Sequence, residues 1–213
     1  SRYAELQGRD GIPIKSILSG QSGYQKTNAS VAAAILGIYE ILSEKQVLEH
    51  FADALRNYFW PGRLQYFQSR QLLIDGAHNE GGAAALRASL DELFPNKRRI
   101  FVLSFYKSKQ FEKIISILVR PGDIVMATEA RGRRAVVPAS EIITAAEQSG
   151  ATGRAFEDFQ LAFNAAQNEL DSSSLCIAAG SFASVTAALV FMGYETLEAS
   201  RPDSQTLFKP AQA

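Results

Sequence analysis

The stretch LLIDGAHNEGGAAAL, residues 72–86, holds the side chains that are best suited to chemistry. Asp75 follows three apolar residues, and His78 and Asn79 stand just before a glycine pair. A carboxylate accepts hydrogen bonds on both oxygens, and an imidazole changes charge near neutral pH. A following helix would add an N-terminus that attracts anions, so the stretch suits a ligand with hydroxyl and anionic groups. The structural alternative is a strand-to-helix turn in which Asn79 caps the helix.

The elements around this stretch alternate between strand and helix patterns. A break at Trp60-Pro61-Gly62 is followed by apolar runs with helical segments between and after them. The predicted strands are RLQYFQ, QLLID, IFVLSF, DIVMAT, TGRAF and SLCIAAG. This alternation predicts an α/β fold, with a mostly parallel, Rossmann-like sheet and helices on both faces. Ligands of such sheets bind outside the carboxyl ends of the strands, where Asp75 is expected.

The residues before Trp60 have a different character. Residues 1–20 predict mostly loop, residues 28–42 a buried helix that is apolar on more than one face, and residues 46–59 an amphipathic helix. Two such helices cannot bury their faces alone, so a larger domain is expected to precede the sheet. The predicted plan is a trailing segment of that domain at 1–62, the α/β domain at 63–197 and a polar, disordered tail at 198–213.

Composition and charge exclude several classes of protein. The 22 basic and 22 acidic residues balance, so no overall field attracts nucleic acid or an anionic membrane. Cys176 is the single cysteine, which excludes a disulfide framework, favours a cytoplasmic setting and is interpreted as a small buried hydrophobe. No apolar run reaches the roughly 18 residues that span a bilayer. The start lacks a signal-peptide core and an initiator Met, so it is expected to be the cut edge of a longer chain.

Four longer motifs occur in one order along the chain. They are GYQKTNASVAAAIL, then WPGRLQYFQSRQLLIDGAHNEGGAAAL, then GRRAVVPASEI and finally IAAGSFASVTAAL. The second resembles the paired W-P-G-R and D-G/A-A-H-N-P motifs of the folylpolyglutamate synthase and dihydrofolate synthase family, in the Mur ligase superfamily. The other three resemble stretches that occur in the same order in that family. The resemblance implies the C-terminal part of an ATP-dependent ligase.

The reaction implied by the resemblance is amide-bond formation. ATP would phosphorylate a carboxylate of folate or dihydropteroate, and the amine of L-glutamate would then displace phosphate. The sheet domain would be the C-terminal ligase domain and would close, about a hinge at residues 60–62, onto an ATPase domain of the same chain. The motif G-x-x-x-x-G-K-S/T is absent from the 213 residues. The phosphate cradle and most Mg²⁺ ligands would therefore lie upstream, and the present stretch is expected to be inactive alone.

The resemblance assigns ATP-binding roles to four residues. Gln25 and Asn28 would lie near the adenine, Arg63 would reach the nucleotide from the hinge, and Asp75 would hold the ribose. Two of these assignments have structural alternatives. Asn28 could cap its helix, and Arg63 could form a surface salt bridge.

The resemblance places two more residues at the reacting groups. His78 would be catalytic and would face the γ-phosphate and the incoming glutamate. Ser181 would bind glutamate at a helix N-terminus, although it could also be only a helix cap. No metal ligand is predicted among these residues, and His50 is given no role.

The chain departs from the family pattern at several positions. Glu80 replaces the usual proline, Tyr24 stands where histidine is common, and the loop with Lys107 and Lys109 lacks the usual acid. Arg131, Arg133 and Arg134 are interpreted as a solvated loop or as a binding surface for a γ-glutamyl tail. Two alternatives stay open: a catalytically silent binding module, and a Mur-type ligase for another carboxylate. The sequence does not distinguish addition of the first glutamate from extension of a glutamate tail.

Overall fold

The computed structural model describes residues 23–38, 54, 60–107, 110–130 and 134–195. These residues belong to two compact units. One contains residues 23–38 and 88–93, and the other contains residues 60–87 and 94–195. The predicted loop at 1–20 and the predicted disordered tail lie outside the described residues, and so does the predicted helix at 46–59 except for residue 54, which is helical.

The described elements follow one another as strands and helices. The helices are α1 (Gln25–Ile38), α2 (Glu80–Leu93), α3 (Phe111–Leu118), α4 (Ala139–Gln148), α5 (Phe159–Asn168) and α6 (Phe182–Phe191). The strands are β1 (Gln65–Phe67), β2 (Leu72–Ile74), β3 (Arg98–Leu103), β4 (Ile124–Thr128), β5 (Thr152–Phe156) and β6 (Ser174–Ala179). A short 3-10 helix, Gln68–Arg70, joins β1 to β2.

The six strands form one sheet in the order β1-β2-β6-β3-β4-β5. Strand β1 is antiparallel to β2, and the remaining neighbours are parallel. The register sets Ile74 beside Ala178, and Leu103 beside Ala179. Strand β6, the last in the sequence, therefore lies between β2 and β3. This insertion brings chain segments about a hundred residues apart to one edge of the sheet.

Helices cover both faces of the sheet. On one face α5 and α6 pack, through residues such as Phe163 and Leu189, against inward side chains of β2, β3 and β6. On the opposite face Ile143 of α4 lies over Gly153, where a β-carbon would be only 2.8 Å from the Ile143 side chain. Helix α4 in turn packs against α3. The predicted α/β architecture, with its mostly parallel sheet and helices on both faces, is confirmed.

Helix α2 is held by a partly buried ion pair between Arg87 and Asp123. Arg87 directly follows the stretch at residues 72–86. Arg87 Nη1 lies 3.1 Å from the Leu118 carbonyl oxygen and 3.3 Å from Asp123 Oδ2. Burial raises the pKa of Asp123, against the opposing effects of the Arg120 N–H and the Arg87 guanidinium. These bonds join the middle of α2 to the end of α3 and the entry to β4.

The unit that contains α1 differs in detail from the prediction. The helix begins at Gln25 and not at Asn28, so the alternative in which Asn28 caps it is wrong. Ala29 and Ala33 are buried, but Val31 and Ile35 are each 46% exposed, so the helix is buried on one face only. In this unit the Tyr24 N–H donates to Ser89 Oγ, and Lys26 pairs with Glu92 at 2.8 Å.

Cys176 lies in the core of β6. It is fully buried, and burial raises the pKa of its thiol to about 12. The interpretation of Cys176 as a buried hydrophobe is confirmed. In the described part of the chain, no helix is long and apolar enough to cross a membrane.

We expect Cys176 to resist thiol reagents while the protein is folded. With a thiol pKa of about 12, about one thiol in ten thousand is ionised at pH 8, against about a quarter for a free cysteine. Labelling by a disulfide reagent should therefore follow the rate of unfolding and be immediate in guanidinium chloride. Fast labelling in native buffer would contradict the buried position.

Candidate functional site

The ends of three neighbouring strands build the candidate site. Asp75 follows β2, Gly180 follows β6 and Ser104 follows β3, and these strands are parallel. The Asp75 N–H donates to the Ala178 carbonyl, and the Gly180 N–H donates to the Ala77 carbonyl. Two residues of the β2–α2 connection are thus bonded to the end of β6 and to the residue that follows it. It lies at the carboxyl edge of the sheet, as the sequence predicts.

The Asp75 carboxylate anchors two loops by backbone hydrogen bonds. Its Oδ2 accepts from the Leu64 N–H at 2.9 Å, and its Oδ1 accepts from the Ala77 N–H at 2.8 Å. Asp75 is 1% exposed. In this arrangement each of its oxygens accepts from a backbone donor, and the side chain is buried. The ribose role of Asp75 stays a prediction, and its anchoring role is a feature that the sequence did not reveal.

The turn before β1 is built for close packing against the β2 end. The Gly76 N–H donates to the Gly62 carbonyl at 2.8 Å, and the Gly62 N–H donates to Gln65 Oε1 at 3.0 Å. Gly62 has φ +69°, and a β-carbon there would lie 2.5 Å from Val185 Cγ1. Only glycine fits both the left-handed backbone and the contact with α6. The turn therefore holds Arg63 at a fixed position beside the strand end.

His78 is oriented by its own loop. The Nδ1 atom lies 2.8 Å from the Gly76 carbonyl oxygen. Because a carbonyl only accepts hydrogen bonds, Nδ1 is the donor, and a neutral ring then carries its lone pair on Nε2. The imidazole is partly buried. His78 is therefore fixed by one nitrogen and presents the other as a proton acceptor.

Arg63 and His78 meet at an aromatic ring that the sequence reasoning did not single out. The Arg63 Cζ atom lies 5.7 Å from the centre of the Phe182 ring. The His78 ring lies 5.6 Å from the same centre, tilted by 43°. Phe182 is the first residue of α6 and is 53% exposed. The only hint in the sequence is an aromatic residue directly after the Gly180-Ser181 pair.

Ser181 is the N-cap of α6. Its Oγ accepts from the Ser184 N–H at 3.2 Å and lies 3.1 Å from Ser184 Oγ, and the residue is 2% exposed. The helix-cap interpretation is thus correct for the side chain. The structure brings Ser181 to the same strand-end cluster as Arg63, Asp75 and His78. Its contact with glutamate stays a prediction.

Gln25 and Asn28 belong to the other unit. The Asn28 Nδ2 group donates to Gln25 Oε1 at 2.8 Å, across one turn of α1. Their amide groups therefore form one local polar pair on this helix. Their roles at the adenine stay predictions.

Two neighbours of His78 have structural roles. Asn79 Oδ1 accepts from the Gly82 N–H at 2.7 Å, so Asn79 caps α2 as predicted. Glu80 is the first residue of α2, where a negative charge is favourable, and lies 3.7 Å from Lys113. The charge of Glu80 is therefore accommodated by the helix and by Lys113.

Part of the predicted basic surface lies outside the described residues. Arg131 and Arg133 are among those positions, whereas the Arg134 guanidinium lies 5.6 Å from the centre of the Tyr106 ring. No group of three or more His, Cys, Asp or Glu side chains within the described ranges is placed to hold a metal ion.

A known family model matches the sequence segment that forms this sheet and its strand-end site. The model for the Mur ligase glutamate ligase domain matches residues 62–182. That segment runs from the turn before β1 to Phe182, so it includes the whole candidate site. The chain therefore belongs to the Mur ligase family, through its glutamate ligase domain, as the resemblance predicts.

The similar proteins come from one branch of that family. The chain is 34% identical over 110 residues to a probable dihydrofolate synthetase of Schizosaccharomyces pombe, a match that covers 49% of this chain and 26% of that protein. It is 30% identical over 151 residues to a dihydrofolate synthase/folylpolyglutamate synthase of Mycobacterium tuberculosis, covering 68% of this chain and 31% of that protein. The matches thus span about a quarter to a third of these curated relatives.

A solved structure supports the same branch. It is the Mycobacterium tuberculosis folylpolyglutamate synthase complexed with ADP. The TM-score is 0.68 at 25% identity, and the match covers 82% of this chain and 41% of that one. The predicted membership of the Mur ligase superfamily is confirmed.

We expect Asp75→Ala to destabilise the fold. The change leaves the Leu64 and Ala77 N–H groups buried without their acceptor, which costs about 2–4 kcal/mol. Asp158→Ala is the matched control, because Asp158 caps α5 with one hydrogen bond to the Leu161 N–H and should cost about 1 kcal/mol. Urea unfolding measures both, and equal losses would contradict the anchoring role.

We expect Gly180→Ala to destabilise the protein more than Gly193→Ala. Both glycines have positive φ, +96° and +85°, so both variants lose roughly 1–2 kcal/mol from the left-handed backbone. At Gly180 the new β-carbon would also lie 2.8 Å from the Ser104 carbonyl oxygen, whereas nothing lies within 4 Å at Gly193. The difference in unfolding free energy isolates the close packing of β6 against β3. Equal values would show that this contact relaxes freely.

Proposed function

We propose that this chain is the C-terminal part of an ATP-dependent ligase that joins L-glutamate to folate or dihydropteroate. The observation that carries the proposal is the convergence of Arg63 and His78 on one strand-end site inside the segment that matches the glutamate ligase domain. The names of the similar proteins support the folate branch. Such an enzyme would work in the cytoplasm, where its substrates are found.

The reaction has two chemical steps. A substrate carboxylate oxygen attacks the γ-phosphorus of ATP, which forms an acyl phosphate and releases ADP. The amine of L-glutamate then attacks the acyl carbon, the amide bond forms, and inorganic phosphate leaves. The ammonium group of glutamate must lose protons during this second step. Catalysis of this kind depends chiefly on positioning and on neutralising charge.

Each residue of the site has a role that suits its geometry. The Arg63 guanidinium has no hydrogen bond or ion pair within the described part of the chain, so its planar donors are available to phosphate oxygens. His78 Nε2 would accept a proton from the glutamate amine, since Nδ1 is engaged by the Gly76 carbonyl. The N-terminus of α6, capped by Ser181, would face a glutamate carboxylate. Asp75 would keep these segments together and would contact the ribose.

The proposed ATP chemistry calls for a divalent cation such as Mg²⁺, which would neutralise phosphate charge when bound. The described residues provide no cluster of acids, histidines and cysteines that fits such an ion. We therefore assign no Mg²⁺ ligand within these ranges. The proposed partner of the site is an ATPase domain that binds the nucleotide phosphates.

The test is a ligation assay on the full-length protein that carries this sequence. With ATP, L-glutamate and either dihydropteroate or tetrahydrofolate, we expect ADP, phosphate and a product heavier by one glutamyl residue in the mass spectrum. His78→Ala should lower kcat about 100-fold or more, because general acid–base groups contribute at least about that much. His50→Ala is the matched control, because the sequence gives that residue no role.

The possible results separate the alternatives. Loss of activity in His78→Ala with an unchanged His50→Ala supports the assignment. An active wild type with a fully active His78→Ala variant would contradict the role of His78 and would leave the proposed ligase reaction standing. A wild type that binds ATP but never forms product would favour the silent binding module, and product only with a non-folate carboxylate would favour another Mur-type ligase.

A further inference from the structure

Packing of the core does not explain the position of the Phe182 side chain. It is 53% exposed, although its helix α6 already buries Ser184, Val185, Ala188 and Leu189. Its position directly after the Ser181 cap sets its ring at the carboxyl edge of the sheet. Single exposed aromatic residues are common on protein surfaces, so exposure alone indicates nothing. What distinguishes Phe182 is the identity of its neighbours.

The ring of Phe182 joins two functional side chains that come from different segments. The Arg63 guanidinium lies 5.7 Å from its centre, and the His78 ring lies 5.6 Å from it. Gly76 packs against both Phe182 and Arg63. A β-carbon there would lie 3.3 Å from Phe182 Cε1 and 3.5 Å from Arg63 Nη1. The phenyl ring is thus the surface on which the hinge arginine and the strand-end histidine are brought together.

This contact acts on side chains that have few other restraints. Within the described residues the Arg63 guanidinium makes no hydrogen bond or ion pair, and a cation over an aromatic face is attracted by the ring. Contact with the face of the ring leaves the N–H groups at the edge of the guanidinium free for a ligand. The His78 ring is held by Nδ1, so contact with Phe182 restricts its remaining rotation. Both groups are therefore set before a ligand arrives.

We propose that Phe182 is a positioning residue that holds Arg63 and His78 in the orientation needed for ligation. This inference rests on the proposed function, in which the arginine meets phosphate and the histidine accepts a proton. It acts through those two side chains and needs only the aromatic face, not the volume of the residue. An aliphatic replacement should therefore fail where another phenyl-type ring succeeds.

The experiment compares Phe182→Leu with Phe182→Tyr in the full-length protein. Leucine keeps the apolar character and loses the aromatic face, whereas tyrosine keeps the face. We expect kcat/KM to fall about tenfold in Phe182→Leu, the effect of one well-placed cation–π contact, and to return to within about twofold of wild type in Phe182→Tyr. Val190→Ala is the matched control, because Val190 is exposed on the same helix at 62%.

A second readout does not depend on activity. The imidazole proton signals of His78, assigned by their loss in His78→Gln, are shifted by the ring of Phe182 in the folded protein. We expect these signals to move in Phe182→Leu, to move little in Phe182→Tyr and to stay in place in Val190→Ala. The free energy of unfolding should be nearly the same in all three variants, because the side chain is half exposed.

Each result decides the inference. Full activity and unmoved His78 signals in Phe182→Leu would overturn it. A large loss of stability without rescue by tyrosine would also overturn it, since the role would then be structural. If the wild type shows no ligation, the proposed function fails, and the His78 signals still decide whether Phe182 positions the histidine.

Discussion

The carboxylate of Asp75 is the constraint on which the candidate site depends. One buried side chain accepts the N–H of Leu64, in the turn before β1, and the N–H of Ala77, in the connection to α2. These two hydrogen bonds tie the turn that carries Arg63 and the loop that carries His78 to the end of β2. A charged acceptor of this kind is strong because both of its partners are shielded from water. The segments that carry Arg63 and His78, the proposed site residues, are thus held by an interaction that involves neither of these side chains.

Close approach of backbone to backbone completes the arrangement. Gly62, Gly76 and Gly180 stand where any side chain would meet Val185, Phe182 or the Ser104 carbonyl. The absence of β-carbons lets the turn before β1 and the starts of α2 and α6 share one edge of the sheet. The result is a compact set of loops on rigid strands, which is the usual way in which α/β proteins build a ligand site.

Much of the architecture could be predicted because its signals are local. Apolar runs bounded by Gly and Pro located each strand. The predicted bounds are wrong at the ends of elements, because contacts with other parts of the chain decide where an element begins or ends. Strand β3 begins at Arg98, two residues before the predicted start, because Arg98 pairs in register with Ser174 of β6. The cap of helix α2 could be predicted, because the Asn79 side chain bonds the Gly82 N–H only three residues away.

The sequence by itself determined the α/β class, the family and the strand-end position of Asp75 and His78, since periodicity and motifs are properties of neighbouring residues. Only the tertiary structure decided that Asp75 is a buried anchor and that Phe182 joins Arg63 to His78. For the Phe182 contacts the reason is the sheet order, in which the last strand β6 is inserted between β2 and β3. That insertion creates contacts between residues more than a hundred positions apart, and no local pattern of the sequence encodes which distant side chains will meet.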